Sequence, residues 1–147
     1  MRFRFTLAVA AFVAMATAGG IASAETLAAC DQSIEYRIQP PDPQVPENMR
    51  AFSGVWIGKW DSGLCSALVV ESITPDGTAN LLYVNGAMGS QYSIKAGNRR
   101  FPGKLAGPKL TAAGQTVTVE YVLRSQSDLA GTYTSQYGNF RGNFARR

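Results

Sequence analysis

Chemistry has few places to reside in this chain. The sequence of 147 residues contains no histidine, which removes Ser-His-Asp and Cys-His hydrolysis in their usual forms and the zinc sites built on imidazole. A G-x-S-x-G elbow, a Walker loop and a dinucleotide fingerprint are all missing as well. Glycoside hydrolysis needs only two carboxylates at a set separation, and Glu71 and Glu120 are the acids placed within strand-like runs. Glu120, however, alternates with Val119 and Tyr121 and shares its face with Thr116 and Thr118, the pattern of a solvent face. A reactive thiol at Cys65 would require a cation, helix N-terminus or histidine to lower its pKa. The expectation is therefore a non-enzyme with no catalytic residue, no cofactor and no metal. What remains is aromatic. Trp56 and Trp60 are four apart, so on a regular strand both rings point the same way with Gly58 between them. Tyr83, Tyr121 and Tyr133 occupy the apolar phases of three further strands. Such rings either fill a narrow interior or line a cavity suited to an apolar or sugar ligand, and Trp60, Tyr83, Tyr121 and Tyr133 form the candidate ligand-binding set.

Positioning those rings requires a sheet. From Ser53 onward, short runs rich in Val, Leu, Tyr, Thr and Trp alternate with turn signals at Asp61-Ser62-Gly63, Pro75-Asp76-Gly77, Asn85-Gly86, Gly97-Asn98, Gly114 and Gly138-Asn139. The pattern predicts strands at 53–60, 64–73, 78–85, 90–95, 99–105, 108–111, 115–123, 129–136 and 139–146. In the seventh, Val117, Val119, Tyr121 and Leu123 share one face; in the last, Phe140, Gly142 and Phe144 do. Gly58, Gly131 and Gly142 are positions where a missing side chain leaves space or lets a strand bend. The fold class is all-β, closing most simply as an antiparallel up-and-down barrel, with a two-sheet β-sandwich as the alternative. Upstream, Pro40, Pro41, Pro43 and Pro46 are four of the seven prolines, and the segment from Ile34 to Met49 predicts an extended arm, neither strand nor helix.

The N-terminus bears on compartment. Arg2 and Arg4 precede the apolar run from Thr6 to Ala18, and Ala22-Ser23-Ala24 has the small residues of a signal-peptidase site. Expected boundaries are a signal peptide over 1–24, a proline-rich arm over 25–52 and a β-barrel domain over 53–147, in a periplasmic or secreted protein without a transmembrane span after cleavage. In an oxidising compartment an even cysteine count suggests a Cys30–Cys65 disulfide. Leu27-Ala28-Ala29-Cys30 also resembles a lipobox, so a lipid anchor at Cys30, and with it a membrane-anchored lipoprotein, is the alternative. Past residue 24 the chain carries twelve bases and ten acids, with eight of the acids before residue 91 and nine of the bases after it. Such a gradient produces a basic face unless the two halves interleave in space. Export and the lack of a single-strand stacking motif argue against a nucleic-acid partner.

Gly54-Val55-Trp56 opens the run of strands, and an arginine-bearing strand ends it. This resembles the calycin group of lipocalins and avidins. The resemblance implies that Trp56 plugs the barrel base and that Arg146, or else Arg141, packs across it. The chain also looks similar to small periplasmic inhibitors of bacterial metalloproteinases, compact barrels with a Gly-x-Trp opening and one disulfide. The function expected is exported, non-enzymatic binding of a small apolar or amphipathic ligand. The alternative is a protein-binding inhibitor or accessory factor whose partner is an envelope protein.

Overall fold

A computed structural model describes residues 23–89 and 93–147; the signal-peptide expectation falls almost wholly outside them. Eight strands follow one another around a closed barrel: β3 (Gly54–Trp60), β4 (Cys65–Ile73), β5 (Thr78–Asn85), β6 (Gly97–Ala106), β7 (Lys109–Ala113), β8 (Val117–Leu123), β9 (Asp128–Ser135) and β10 (Gly138–Arg146). Each pairs antiparallel with its successor, and β10 returns to β3 with Arg146 opposite Trp56 and Gly142 opposite Trp60. The up-and-down barrel is thus the architecture, and closure leaves the barrel without a free edge.

Strand alternation sets the inside as expected. Val119 and Tyr121 on β8, and Gly142 and Phe144 on β10, are buried, as are Trp56 and Trp60 on β3. Where Trp60 and Phe144 meet, β9 and β10 contribute glycine. A Cβ on Gly131 would lie 2.9 Å from the Trp60 ring, and one on Gly142 would lie 2.8 Å from the Phe144 ring. The missing side chains therefore make room for rings, which edge-pack with centroids 5.2 Å apart.

Three expectations are corrected. The predicted strand 90–95 is absent among the described residues of that range: Ile94 makes only an isolated bridge to Met88. Gly97-Asn98, read as a turn, instead begins β6 opposite Asn85 and Val84. The region 25–52 is also more ordered than an extended arm. β1 (Ala24–Ala29) and β2 (Gln32–Arg37) form a hairpin, and Glu47–Arg50 makes one turn of helix, α1. Cys30 and Asp31, at φ 51° and 60°, are the two loop residues between the paired Ala29 and Gln32. That is the backbone required by a two-residue turn matching strand twist. The turn is held by a disulfide from Cys30 to Cys65 at the start of β4. A bonded Cys30 sulfur is not free for acylation.

The hairpin lies on the outside of the barrel. Leu27 and Tyr36 are buried there with Val55, Ala67, Val69, Leu82 and Val84, a second apolar layer separate from the barrel interior. β4 and β5 are consequently covered on both faces, and their near-continuous apolar runs reflect it.

Candidate functional site

The two ends of the barrel differ. At the base, Val45, Phe52 and Met49 around α1 pack against the interior cluster that contains Trp56. The Trp56 indole donates to the Phe52 carbonyl at 2.9 Å. Arg146 covers the same ring, its guanidinium carbon 4.1 Å from the centroid. It donates to three main-chain carbonyls, those of Ser53 at 2.7 Å, Gln126 at 2.6 Å and Ala51. The plug-and-arginine arrangement implied by the resemblance is present with Arg146, not Arg141. Gly54 explains the Gly-x-Trp spacing: its φ is +126°, and a Cβ there would stand 2.7 Å from the Arg146 guanidinium. This end is structural and closed.

The opposite end opens. Trp60, Tyr83, Tyr133 and Phe140 line a mouth of about 640 Å³ with Leu64, Ile94, Arg99 and Tyr137. Three of the four predicted ligand-binding residues meet here; Tyr121 does not line the wall. It lies beneath, 1% exposed, with its ring 6.2 Å from Trp60 and 5.5 Å from Phe144. Below the mouth the interior is packed core, which the Tyr121 ring helps to fill, while Trp60, Tyr83 and Tyr133 line the mouth above it.

Hydrogen bonds fix the wall. The Trp60 indole donates to the Tyr83 hydroxyl at 3.0 Å, and that hydroxyl shares a 2.8 Å bond with Ser66, which is fully buried. Burial raises the Tyr83 pKa, with the Ser66 and Trp60 bonds pulling the other way. Tyr133 stands edge-on to Trp60 at 5.9 Å and tilts against Phe140 at 6.1 Å. Arg99, on the same β6 phase as Phe101 and Leu105 but exposed at the mouth, holds its guanidinium 5.9 Å from the Tyr83 ring and 5.6 Å from the Phe101 ring. Among the described residues that line the mouth there is no aspartate or glutamate.

Sequence reasoning missed Ser66 and Arg99. Both had a signal: Ser66 shares the phase of Leu68 and Val70 and is buried, and Arg99 shares that of Phe101 and Leu105 where the strand reaches the open mouth. The charge gradient concealed Arg99. Its neighbour Arg100 points outward and grips Glu71 through Nε at 2.9 Å and Nη2 at 3.0 Å. Lys104 pairs with Asp76 and Lys109 with Glu120. Acidic and basic halves thus interleave across the sheet. Glu71 and Glu120, on strands separated by three others on either side of the barrel, each face their own cation.

No protein-family model and no curated relative matches the chain. Solved structures do resemble it. A redesigned β-barrel superposes with a TM-score of 0.52 at 12% identity, covering 68% of this chain and 95% of that one. The redesigned β-barrel mFAP1, bound to DFHBI, gives 0.51 at 10% identity, covering 69% and 100%. A fluorescence-activating β-barrel designed de novo gives 0.50 at 15% identity, covering 70% and 100%. At such identities the likeness concerns the barrel fold.

Proposed function

We propose that this protein is an exported, non-enzymatic binding protein that holds a small apolar or amphipathic molecule in the mouth of its barrel. The observation that carries the reading is the asymmetry of the barrel: a sealed base, a packed waist and an aromatic mouth of about 640 Å³ at the other end. A concave site walled by rings with a few convergent polar groups is the usual form of a small-molecule pocket. That a barrel of similar fold is bound to DFHBI supports the use of such a scaffold for a small ligand. The protein-partner reading has less behind it. Among the described residues, Val122 and Tyr137 are the exposed large hydrophobics. Val122 lies near the base end of β8 and Tyr137 on the mouth rim, so the two form no convex patch.

A solvatochromic apolar dye titrated against wild type, Tyr133→Ala and Tyr121→Ala tests the reading. Saturable binding to wild type, weakened about tenfold by Tyr133→Ala with little change in melting temperature, is the expected result. Tyr121→Ala should chiefly lower the melting temperature, because that ring is core. If no dye binds wild type, the carrier reading falls. Export rests on the N-terminal pattern and the disulfide. Intact mass of the protein recovered from its host should give a chain beginning at Glu25 with Cys30 and Cys65 bonded; an acylated N-terminal Cys30 would overturn it.

A further inference from the structure

The rim of the mouth is held from outside the barrel. On β2, alternation turns Gln32, Ile34 and Tyr36 toward the barrel wall. Ile34 and Tyr36 join the outer apolar layer, whereas Gln32, at the mouth end of the same face, is polar. Its side-chain amide donates to two main-chain carbonyls, those of Asn85 at 2.7 Å and Gly97 at 3.3 Å. These two residues are the last register pair of β5 and β6, and both line the mouth. Asn85 in turn donates through Nδ2 to the carbonyls of Gly86 at 3.0 Å and Lys95 at 2.8 Å, which fixes the backbone next to Ile94, another mouth residue. Gln32 directly follows the Cys30-Asp31 turn, and the Cys30–Cys65 bond anchors that turn to β4. The bond also backs onto the rim. The Gly86 amide donates to the Cys65 carbonyl at 2.9 Å, and a Cβ on Gly86 would lie 3.4 Å from the Cys65 Cβ and 3.5 Å from the Cys30 Cβ. One covalent bond and one side-chain amide thus join the hairpin tip to residues that shape the opening.

We propose that the hairpin tip is a redox-controlled clip on the mouth: the Cys30–Cys65 bond keeps Gln32 on the Asn85 and Gly97 carbonyls, and its reduction loosens the rim and releases the ligand. The inference rests on the mouth being a ligand site and adds how that site is regulated. The reductant is a dithiol, small or protein-borne. One of its thiolates attacks a cysteine sulfur, and its second thiol resolves the mixed disulfide. Cys30 and Cys65 end as thiols and the dithiol as a disulfide, so two electrons and two protons pass to the protein. Both cysteines are half-buried beside the exposed Asp31, on the outer hairpin and not in the barrel core, so the attack does not require the barrel to open. With the tip untethered, Gln32 reaches the two carbonyls only by giving up the new freedom of its turn. A rim ordered for part of the time binds in proportion to that fraction. The barrel ladder and the sealed base do not include the bond, so the barrel stays folded while affinity falls.

The test titrates Nile red against the full chain, first oxidised and then reduced with dithiothreitol. Reduction should weaken binding about fivefold or more, the size of a lost hydrogen-bonded contact, with near-ultraviolet circular dichroism unchanged at the assay temperature. Reoxidation should restore the affinity. Gln32→Met keeps the length and the disulfide but has no donor, so it should bind like the reduced protein, and reducing it should cost less than about twofold more. Gln32→Lys restores a donor and should stay within about twofold of wild type. Equal affinity before and after reduction, or a Gln32→Met that binds as wild type does, would overturn the clip and leave the carrier reading standing. If reduction unfolds the barrel, the two Gln32 variants, whose disulfide is intact, decide the matter. Amide exchange at Lys95, Gly97 and Asn98 in the dye-free chain needs no ligand, and it should quicken in Gln32→Met and on reduction. Failure of Nile red to bind wild type would overturn the carrier reading and with it ligand release, whereas unchanged exchange at those amides would overturn the clip itself.

Discussion

Residue by residue, the base is where the chain has least freedom. Gly54 must supply a φ of +126° and leave room for the Arg146 guanidinium, and Trp56 must offer that guanidinium a flat face. Gly54→Ala meets both constraints at once and should cost more than about 2 kcal/mol, since a strained φ and a steric conflict add. Trp56→Ala should cost about 3 to 5 kcal/mol, the range for emptying a buried aromatic site. Arg146→Lys keeps a charge but cannot reach three carbonyls with one planar fork, so it should behave nearly as badly as Arg146→Ala. By contrast Glu120→Ala, which removes a half-exposed partner of Lys109, should change stability by less than about 0.5 kcal/mol. Urea melts of the series check the ranking. Equal losses at Trp56 and Glu120 would contradict the inward and outward phases described above.

Among elements, the β1–β2 hairpin is attached to the barrel by three kinds of contact: apolar burial of Leu27 and Tyr36, the Cys30–Cys65 bond, and polar clips around Glu71. Glu71 takes Arg100 in a bidentate pair, and Arg100 also donates to the Glu35 carbonyl at 2.8 Å. The Glu71 carbonyl accepts from the Gln39 amide at 2.7 Å. The disulfide closes a separation of 35 residues, and in the chain-entropy account a loop of that size stabilises by about 3 to 4 kcal/mol. Cys30→Ser with Cys65→Ser should therefore lower the urea midpoint substantially, with faster amide exchange in β1 and β2 and little change in β7 to β9. Uniform loss of protection around the whole barrel would refute the view of the hairpin as an accessory layer. This layer was the part least legible in the sequence. Alternation on β8 and β10 exposes their inner faces directly, because one side of each is wet. The runs Ala67-Leu68-Val69-Val70 and Leu81-Leu82-Tyr83-Val84 do not alternate, and that continuity was itself the sign of a cover on the outer face. The cover was obscured because proline density suggested an extended arm, whereas the prolines begin only after β2 ends. The strand expected over 90–95, which the described residues 93–95 do not form, has a similar origin: the alternation around Ile94 fits a strand pattern, but pairing of β5 with β6 starts only at Gly97.

For the whole molecule, the barrel is graded along its axis, and protonation should report the grading. Desolvation by burial pushes the Tyr121 pKa well above its ordinary value of 10.0 and raises that of Tyr83. Both phenols are neutral in folded and unfolded chains below pH 10, so their contribution is fully present there. As pH rises past about 10 the unfolded chain ionises first, the folded chain keeps the protons longer, and stability is lost until the folded pKa values are passed. Each phenol so held contributes a slope approaching about 1.4 kcal/mol per pH unit in that window. The urea midpoint should be level to pH 9 and fall steeply above 10, with Tyr121→Phe shallower than wild type. Tyrosinate absorbance offers the complementary view, because Tyr121 should ionise only as the barrel opens. The acid end carries no matching prediction for the interior, since the carboxylates that pair with cations, Glu71, Asp76 and Glu120, lie on the outer surface. Alkali should thus dismantle the molecule from its waist, where Tyr121 separates packed core from open mouth. A midpoint that stays level through pH 11, or a Tyr121 that ionises before the barrel opens, would mean that water already reaches the waist and that the mouth extends deeper than Trp60.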